Sequence, residues 1–101
     1  YKAMTELRFT WDTEKAKENE RKHGVTFDEA RAVFNDEGAL LIDDPDHSDD
    51  EERFVIVGFS SRARLVTVYH CYPVNDDVIR LISARRATRS ESSQYIREQA
   101  Q

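Results

Sequence analysis

The order of apolar and polar residues at the start of the chain predicts a short strand followed by a helix. Residues 7–11, Leu-Arg-Phe-Thr-Trp, alternate between apolar and polar side chains of high β-propensity, as in a half-buried strand. Asp12 is a typical N-cap residue, and Gly24 favours the left-handed conformation that commonly ends a helix. We therefore predict a strand at 7–11 and a helix from Asp12 to about Lys22.

A second helix is predicted directly after this turn. Thr26 and Glu29 have the spacing of a capping box, and Val25 with Ala30 that of a weak hydrophobic staple. Apolar side chains recur as far as Asn35, where we place the end of the helix.

The second half of the chain is dominated by β-forming segments. A brief strand is expected at 39–42. Three better strands follow, at about 53–60, 64–71 and 77–84. The turns between these three are short, which favours antiparallel neighbours. Thr88 begins a closing helix that reaches about Gln99, with Glu91 again at capping-box spacing.

This order of elements indicates an α+β fold. We expect an antiparallel sheet of about four strands with an N-terminal helix pair and a C-terminal helix, all helices lying on one face of the sheet. A chain of 101 residues is long enough for one modest core, so 1–101 is taken as a single domain. If translation starts at Met4, residues 1–3 are additions to the natural protein.

Composition narrows the class of protein. Cys71 is the only cysteine, which excludes an internal disulfide and fits a reducing compartment. The longest apolar run, 54–59, is far below the roughly 18 residues that a membrane helix needs. We therefore expect a soluble, cytoplasmic protein.

Charge is distributed unevenly between the two halves of the chain. The net charge is -5, but residues 1–52 hold 16 acidic and 7 basic side chains, whereas residues 53–101 hold 4 acidic and 8 basic ones. All the basic residues of the second half are arginines, whose planar fork of donors matches phosphate oxygens. This asymmetry indicates an anionic partner on one surface and a cationic partner on another.

Arginines cluster where the last strand meets the last helix. Regular alternation along the strand would place Arg85 on one face of the sheet, and Arg80 and Arg86 on the other. Arg89 lies in the first turn of the helix, where the helix dipole disfavours a cation unless an anion binds there. We interpret these residues as an anion-binding corner; the alternative is that they pair with the acidic loop at 43–52.

Histidines and the acidic loop give weaker signals. His23, at the end of the first helix, suits either proton transfer or interaction with the helix dipole. Asp44, Asp46 and Ser48 begin like an EF-hand, but the glycine and final glutamate of that loop are missing. A Mg²⁺ site of two or three carboxylates is the alternative to a solvated loop. Zinc-ligand spacing, a glycine-rich phosphate loop and a nucleophile elbow are all lacking, so we expect no cofactor.

A series of short motifs runs through nearly the whole chain, from about 7 to 95. They are Trp11-Asp12, Lys15-Ala16, Asn19, Lys22-His23-Gly24-Val25, Phe27, Ala30, Val33-Phe34, Asp44-Pro45-Asp46-His47-Ser48, Glu52-Arg53-Phe54 and Arg80-Leu81-Ile82-Ser83-Ala84-Arg85-Arg86-Ala87-Thr88. Each motif alone is weak, but together and in this order they resemble the BrnT family of bacterial toxins.

The resemblance implies a function and a set of partners. A BrnT-like chain would be the toxin of a type II toxin-antitoxin pair, with a RelE-like fold and an endoribonuclease activity that arrests translation. Its partner would be a BrnA-like antitoxin, a small ribbon-helix-helix DNA-binding protein, and operator DNA would be bound only by the complex. Family members often carry a further basic residue after the position of Glu91. Here Ser92 and Ser93 follow, which thins the cationic surface.

RNA cleavage without a metal needs a base for the 2′-OH, an acid for the 5′-oxygen and cations for the phosphorane. The catalytic candidates in this chain are Arg85, Arg80, His23 and Lys22. The candidates for substrate binding are Arg53, Arg86, Arg89 and Tyr95. Within this set, Arg85 and Arg80 would hold the scissile phosphate, and His23 or Lys22 would transfer protons.

Two other functions fit the residues. A non-catalytic binding module would use the arginines to recognise an acidic protein or the DNA backbone, as a partner in a repressor complex. A metal-dependent nuclease would use Asp44, Asp46 and His47 of the acidic loop. If the chain is a BrnT-like toxin, the acidic loop would instead meet basic residues of the antitoxin.

Overall fold

The computed structural model describes residues 7–43, 53–73 and 77–100. Its elements are β1 (Arg8–Thr10), α1 (Thr13–His23), α2 (Phe27–Ala30), β2 (Leu40–Asp43), β3 (Phe54–Phe59), β4 (Leu65–Cys71), β5 (Val78–Arg86) and α3 (Arg89–Gln99). The predicted α+β class is confirmed, with five strands in place of about four. Residues 1–3 and residues 44–52 of the acidic loop lie outside the described residues, and Asp43, predicted to begin that loop, ends β2.

The predicted capping residues of α1 and α3 form the expected hydrogen bonds. Asp12 Oδ1 accepts hydrogen bonds from the N–H groups of Glu14 at 2.9 Å and Lys15 at 3.1 Å. Gly24 follows the helix with φ +69°, a left-handed conformation that costs a glycine little. At the start of α3, a complete capping box joins Thr88 to the residue three positions later.

The second helix differs from its prediction in two respects. Thr26 Oγ1 accepts the N–H of Glu29 at 3.0 Å, but the Glu29 carboxylate bonds to Arg64, so only half of the expected capping box forms. A guanidinium offers two charge-assisted bonds, which are stronger than one bond to a backbone N–H. The α-helix ends at Ala30, and a 3₁₀ helix continues over Arg31–Asn35.

The strands form one sheet in the order β1-β5-β4-β3-β2. The pairs β2-β3, β3-β4 and β4-β5 are antiparallel, as the short turns predicted, but β1 runs parallel to β5. The long stretch of chain between β1 and β5 allows this parallel pairing. The sheet is therefore antiparallel except at its first strand.

A bulge in β5 decides which of its residues share a face of the sheet. Two successive residues of β4 pair with Ser83 and Leu81, so Ile82 is an extra residue. Beyond the bulge the alternation shifts by one, and Ala84 joins Leu81 in the same buried core cluster. Arg85 therefore lies on the opposite face from these two, whereas unbroken alternation had placed it with Leu81.

Helices cover both faces of the sheet, where the sequence predicted only one. The main core, under α1 and α2, consists of Val25, Phe27, Ala30, Val33, Ile56, Val66, Val68, Ile79, Leu81 and Ala84. Thr67 alternates with two of these core residues and so points to the other face, where its hydroxyl bonds to Glu91 of α3 at 2.8 Å. α3 thus covers the second face. Every helix in the described ranges falls short of the length and apolar character needed to cross a membrane.

Candidate nucleic-acid interface

Arg85 and Glu91 form a bidentate ion pair where β5 meets α3. Arg85 Nη1 lies 2.9 Å from Glu91 Oε1, and Nη2 lies 3.0 Å from Oε2. Nη2 also donates to Tyr69 Oη at 3.2 Å, and Nη1 to the backbone carbonyl of Arg86 at 3.3 Å. Both terminal nitrogens of Arg85 are therefore fully engaged, because each carries two hydrogens.

The Glu91 carboxylate is fixed by further hydrogen bonds. Its Oε1 accepts the N–H of Thr88 and the hydroxyl of Thr67, each at 2.8 Å. Burial alone would raise the pKa of the Glu91 carboxyl, but the hydrogen bonds that it accepts, chiefly from Arg85, lower that pKa to about 2. A carboxylate this acidic is a poor general base, so Glu91 serves as a partner for Arg85.

Opening this pair would be costly. The side chain of Arg85 is 27% exposed and that of Glu91 15%. Removing one partner of a fully buried pair costs roughly 3–5 kcal/mol, and because Arg85 keeps some contact with water we expect a smaller penalty of about 2–3 kcal/mol. The hydrogen bonds with Glu91 also raise the pKa of Arg85 above its ordinary value, against the effect of burial. Both groups therefore stay charged and paired over the physiological pH range.

Arg86 and Arg89 flank this pair and expose their side chains. Within the described part of the chain, neither side chain has a carboxylate partner. Together with Arg85 and Glu91 they carry three positive charges and one negative charge, a formal sum of +2. We call these four residues the arginine corner. Only Arg86 and Arg89 offer unengaged guanidinium groups there.

Asn19 fastens α1 to β5 just before the arginine corner. Its Oδ1 accepts the N–H of Ala84 at 3.0 Å, and its Nδ2 donates to the carbonyls of Ala84 at 2.8 Å and Val25 at 2.9 Å. β1 accompanies β5 only as far as Arg80, so the buried amide of Asn19 satisfies backbone groups that a longer strand would have paired.

The two candidates for proton transfer lie at the end of α1, beside the bulge of β5. Lys22 and His23 are exposed, and with Ile82 and Ser83 they line a shallow cleft of about 240 Å³. Lys22 Nζ is 3.9 Å from a Glu18 carboxylate oxygen. α1 packs on the face opposite to Arg85, so neither candidate approaches that arginine.

Arg86, in contrast, belongs to the face on which α1 packs. It follows the buried Ala84 by two positions, and residues two apart on a strand share a face. The ends of α1, β4 and β5 also meet here: Arg64 donates to the Gly24 carbonyl at 2.8 Å, and the N–H of Ala87 bonds to the strand β4 at 3.0 Å. The structure therefore brings Arg86, and not Arg85, to the side of Lys22 and His23.

Arg80 is separated from the arginine corner along β5. Four residues lie between it and Arg85, so the two positions are about 16 Å apart at a strand rise of roughly 3.3 Å per residue. Arg80 is exposed and acts on Asp12: the N–H of Lys15 is the main cause that lowers the pKa of the Asp12 carboxyl, and the charge of Arg80 adds to it. The two arginines share a face of the sheet after the bulge, but they do not converge on one phosphate as the sequence suggested.

Arg53 and Tyr95 also lie outside the arginine corner. Arg53 precedes β3 at the end of the sheet where β5 begins, since Phe54 pairs with a β4 residue that pairs in turn with Leu81. Tyr95 is 5% exposed, and its hydroxyl donates to Asp36 Oδ2 at 2.7 Å. Burial and this bond raise the pKa of Tyr95 to about 12. We therefore leave Tyr95 out of the substrate-binding set.

A second arginine-glutamate pair, which sequence reasoning missed, holds the turn between the first two helices. Arg64 Nε lies 2.7 Å and Nη2 2.8 Å from the Glu29 carboxylate, and Ser60 Oγ donates to it at 2.6 Å. The bond from Arg64, opposed by burial, lowers the pKa of Glu29. The capping-box spacing of Glu29 concealed this role, and nothing in the sequence links it to Arg64.

Metal-ligating residues do not cluster in the ranges that the structure describes: no three His, Cys, Asp or Glu side chains there are placed to hold an ion. The metal-dependent alternative rests on Asp44, Asp46 and His47, which lie outside those ranges. It therefore stays a prediction.

Comparison with known proteins identifies the family of this chain. A family model described as the ribonuclease toxin BrnT of type II toxin-antitoxin systems matches residues 11–91. The 1.1 Å crystal structure of the Brucella abortus ribonuclease toxin BrnT superimposes with a TM-score of 0.61 at 24% sequence identity, covering 82% of this chain and 99% of that one. At this identity the match establishes the likeness of fold. No functionally curated protein matches the sequence significantly. The family resemblance read from the motifs is confirmed.

Proposed function

Because the chain belongs to the BrnT family of ribonuclease toxins from type II toxin-antitoxin systems, we propose that it is an endoribonuclease that cleaves RNA without a metal ion and thereby inhibits translation. The family match over residues 11–91 carries this proposal. That span includes all of β5 and the start of α3 as far as Glu91, which supply the arginine corner, and α1, which carries Lys22 and His23.

The proposed reaction needs no nucleophile from the protein. The 2′-OH of the substrate attacks the adjacent phosphorus, the bond to the 5′-oxygen breaks, and negative charge builds up on the phosphorane oxygens. Guanidinium groups stabilise that charge, and correct positioning of the RNA supplies much of the remaining acceleration. Arg86 and Arg89 are the exposed groups that suit this role at the arginine corner.

We assign proton transfer to His23, with Lys22 as the second candidate. Both lie on the face of the sheet that Arg86 shares, so a phosphate held by Arg86 would lie on their side of the molecule. The pH dependence of cleavage should therefore change in His23→Ala. A profile identical to that of the wild type would remove the histidine from the reaction.

The partner is proposed to be a BrnA-like, ribbon-helix-helix antitoxin in the cytoplasm, with operator DNA bound only by the complex. The acidic loop would supply a surface for basic residues of that antitoxin. Deletion of 46–50 should then weaken the complex, and an unchanged affinity would count against the assignment.

The decisive experiment incubates the purified chain with total RNA, with and without EDTA, and then with the antitoxin. We expect cleavage that persists in EDTA and stops when the antitoxin is added. Arg86→Ala and Arg89→Ala should each reduce cleavage at least about tenfold, because each removes a cation from the transition state. Arg97→Ala, at the exposed far end of α3, is the matched control and should cleave normally.

Other outcomes select the alternatives. Cleavage abolished by EDTA supports a metal-dependent nuclease that uses the acidic loop. Intact RNA in every condition, with a stable antitoxin complex, supports a non-catalytic partner in a repressor complex. The engagement of Arg85 by Glu91 is the one observation that favours this second candidate.

A further inference from the structure

We infer that Arg85 and Glu91 act as positioning residues: their ion pair orients Arg86 and Arg89 towards the RNA, and Arg85 does not itself hold the phosphate. This inference rests on the proposed ribonuclease function and names the groups of the same site that meet the substrate. It replaces the assignment of the scissile phosphate to Arg85.

The hydrogen bonds of Arg85 leave no room for a phosphate on its terminal nitrogens. Two of their four hydrogens point to Glu91, one to Tyr69 and one to the carbonyl of Arg86. A phosphate would need the same fork that the carboxylate already occupies. To bind it, Arg85 would have to leave Glu91 largely buried and unpaired.

The same network reaches both exposed arginines. Through its bond to the Arg86 carbonyl, Arg85 orients the backbone of the last residue of β5. The Thr88 N–H donates to the Glu91 carboxylate, and the Thr88 hydroxyl oxygen accepts the backbone N–H of Glu91, so the network fixes the first turn of α3 and thus Arg89. Thr67 ties the carboxylate to β4. Loosening Glu91 should therefore free the two guanidinium groups to move relative to each other.

The change in RNA affinity on removal of the Glu91 charge tests this inference, because simple electrostatics and the positioning role predict changes in opposite directions. RNA is a polyanion, so removing a carboxylate from the binding surface should by charge alone tighten binding. If Glu91 positions the arginines, its neutral isostere should do the reverse. Glu91→Gln keeps the size of the side chain and removes the ion pair.

Asp36→Asn is the matched control. Asp36 is a half-buried carboxylate that also contacts α3, through the Tyr95 hydroxyl, and it bonds to Phe59 of β3, two strands across from β5. Both substitutions remove one negative charge and one anchor of the same helix. They differ in the turn of α3 that they affect, since Tyr95 follows Glu91 by one turn of the helix.

The experiment measures kcat/KM for RNA cleavage, and the dissociation constant for an RNA analogue whose 2′-OH groups are replaced by hydrogen, at a temperature where circular dichroism shows every variant folded. We expect Glu91→Gln to lower kcat/KM at least about tenfold and to weaken binding several-fold, with Asp36→Asn within about twofold of the wild type. Arg85→Lys keeps the charge but loses the fork, and should follow Glu91→Gln. If Glu91→Gln does not fold, Thr67→Val, which removes one hydrogen bond to the carboxylate without changing charge, should lower kcat/KM about threefold.

Two results would overturn the inference. Tighter binding in Glu91→Gln than in Asp36→Asn would mean that Arg85 is the phosphate ligand and that Glu91 competes with RNA. Equal values in these two variants would mean that the pair serves stability alone. A wild-type chain that leaves RNA intact instead contradicts the proposed activity, and the analogue-binding comparison then still decides the role of the pair.

Discussion

The face of the sheet under α1 and α2 is packed with aliphatic and aromatic side chains, whereas the other face buries fewer apolar side chains, such as Val57 and Tyr95, and holds α3 through several polar bonds as well. On the first face, ten buried apolar residues form one continuous cluster. On the second, Glu91 bonds to Arg85, the Tyr95 hydroxyl to Asp36, and the Gln99 amide to the Gly38 carbonyl at 2.8 Å. The two layers of helix are therefore held by different kinds of interaction.

This difference matters because the arginine corner belongs to both layers. Arg86 lies on the apolar face, at the end of α1, and Arg89 starts the helix on the polar face. Apolar burial and the uncharged amide of Asn19 fix α1 with little dependence on pH or salt, but the docking of α3 depends on the charge of a few groups. The relative position of the two exposed arginines is thus set by the Arg85-Glu91 pair.

The largest expected effect comes from the apolar face. Phe27 is 2% exposed and packs edge-on against Trp11, with ring centroids 5.8 Å apart. Phe27→Ala should lower the free energy of unfolding by about 3–4 kcal/mol, because it removes a buried ring and leaves a cavity. Urea unfolding at low and high salt measures this. The loss should be the same at both salt concentrations, and a strong salt dependence would contradict the apolar character of this face.

A smaller effect is expected from His70, an ionisable group buried in the aromatic part of the same face. His70 is fully buried and packs edge-on against Phe34, with ring centroids 4.8 Å apart. Burial lowers the pKa of His70 to about 4 from 6.5, against a weak opposing bond to the Val68 carbonyl. The folded protein therefore keeps this imidazole neutral where the unfolded chain would charge it.

The sign of the pH effect follows directly. Between pH 6.5 and 4 the unfolded chain binds a proton at His70 that the folded protein does not, so stability falls as pH falls, by up to about 3 kcal/mol. Urea unfolding at pH 7, 6 and 5 should show this slope in the wild type and lose most of it in His70→Gln. The exposed His23→Gln is the control that should keep the slope. The same slope in both variants would mean that His70 is charged in the folded protein.

Much of the fold was predictable because it depends on local signals. The cap at Asp12, the left-handed Gly24 and the capping box at Thr88 each formed as expected. What the sequence could not give were the long-range choices: the parallel pairing of β1, the bulge at Ile82 and the face on which α3 lies. A bulge adds one residue without any required residue type, yet it moved Arg85 to the opposite face.

The sequence predicted which residue types gather at the site, but not which side chains bond to each other there. The concentration of arginines at the end of β5 indicated an anion site, and Arg86 and Arg89 are indeed exposed there. The sequence did not reveal that Glu91 engages Arg85, since its capping-box spacing already accounted for it, nor that Asn19 clamps α1 to β5. Both contacts join residues through the tertiary fold, where sequence spacing carries no information.

The smallest expected effect tests whether α3 acts as one unit or as two separately anchored turns. Tyr95→Phe removes the hydroxyl that donates to Asp36 and leaves the ring packed 5.5 Å from Phe59. Asp36 keeps its bonds from the N–H groups of Phe59 and Gly38, each at 2.9 Å, so the expected loss in the free energy of unfolding is only about 1 kcal/mol. RNA cleavage should stay at the wild-type rate, because the arginine corner depends on Glu91, one turn earlier in the helix. A loss of cleavage in a stably folded Tyr95→Phe would show that the two turns of α3 move together, and would return Tyr95 to the substrate-binding set.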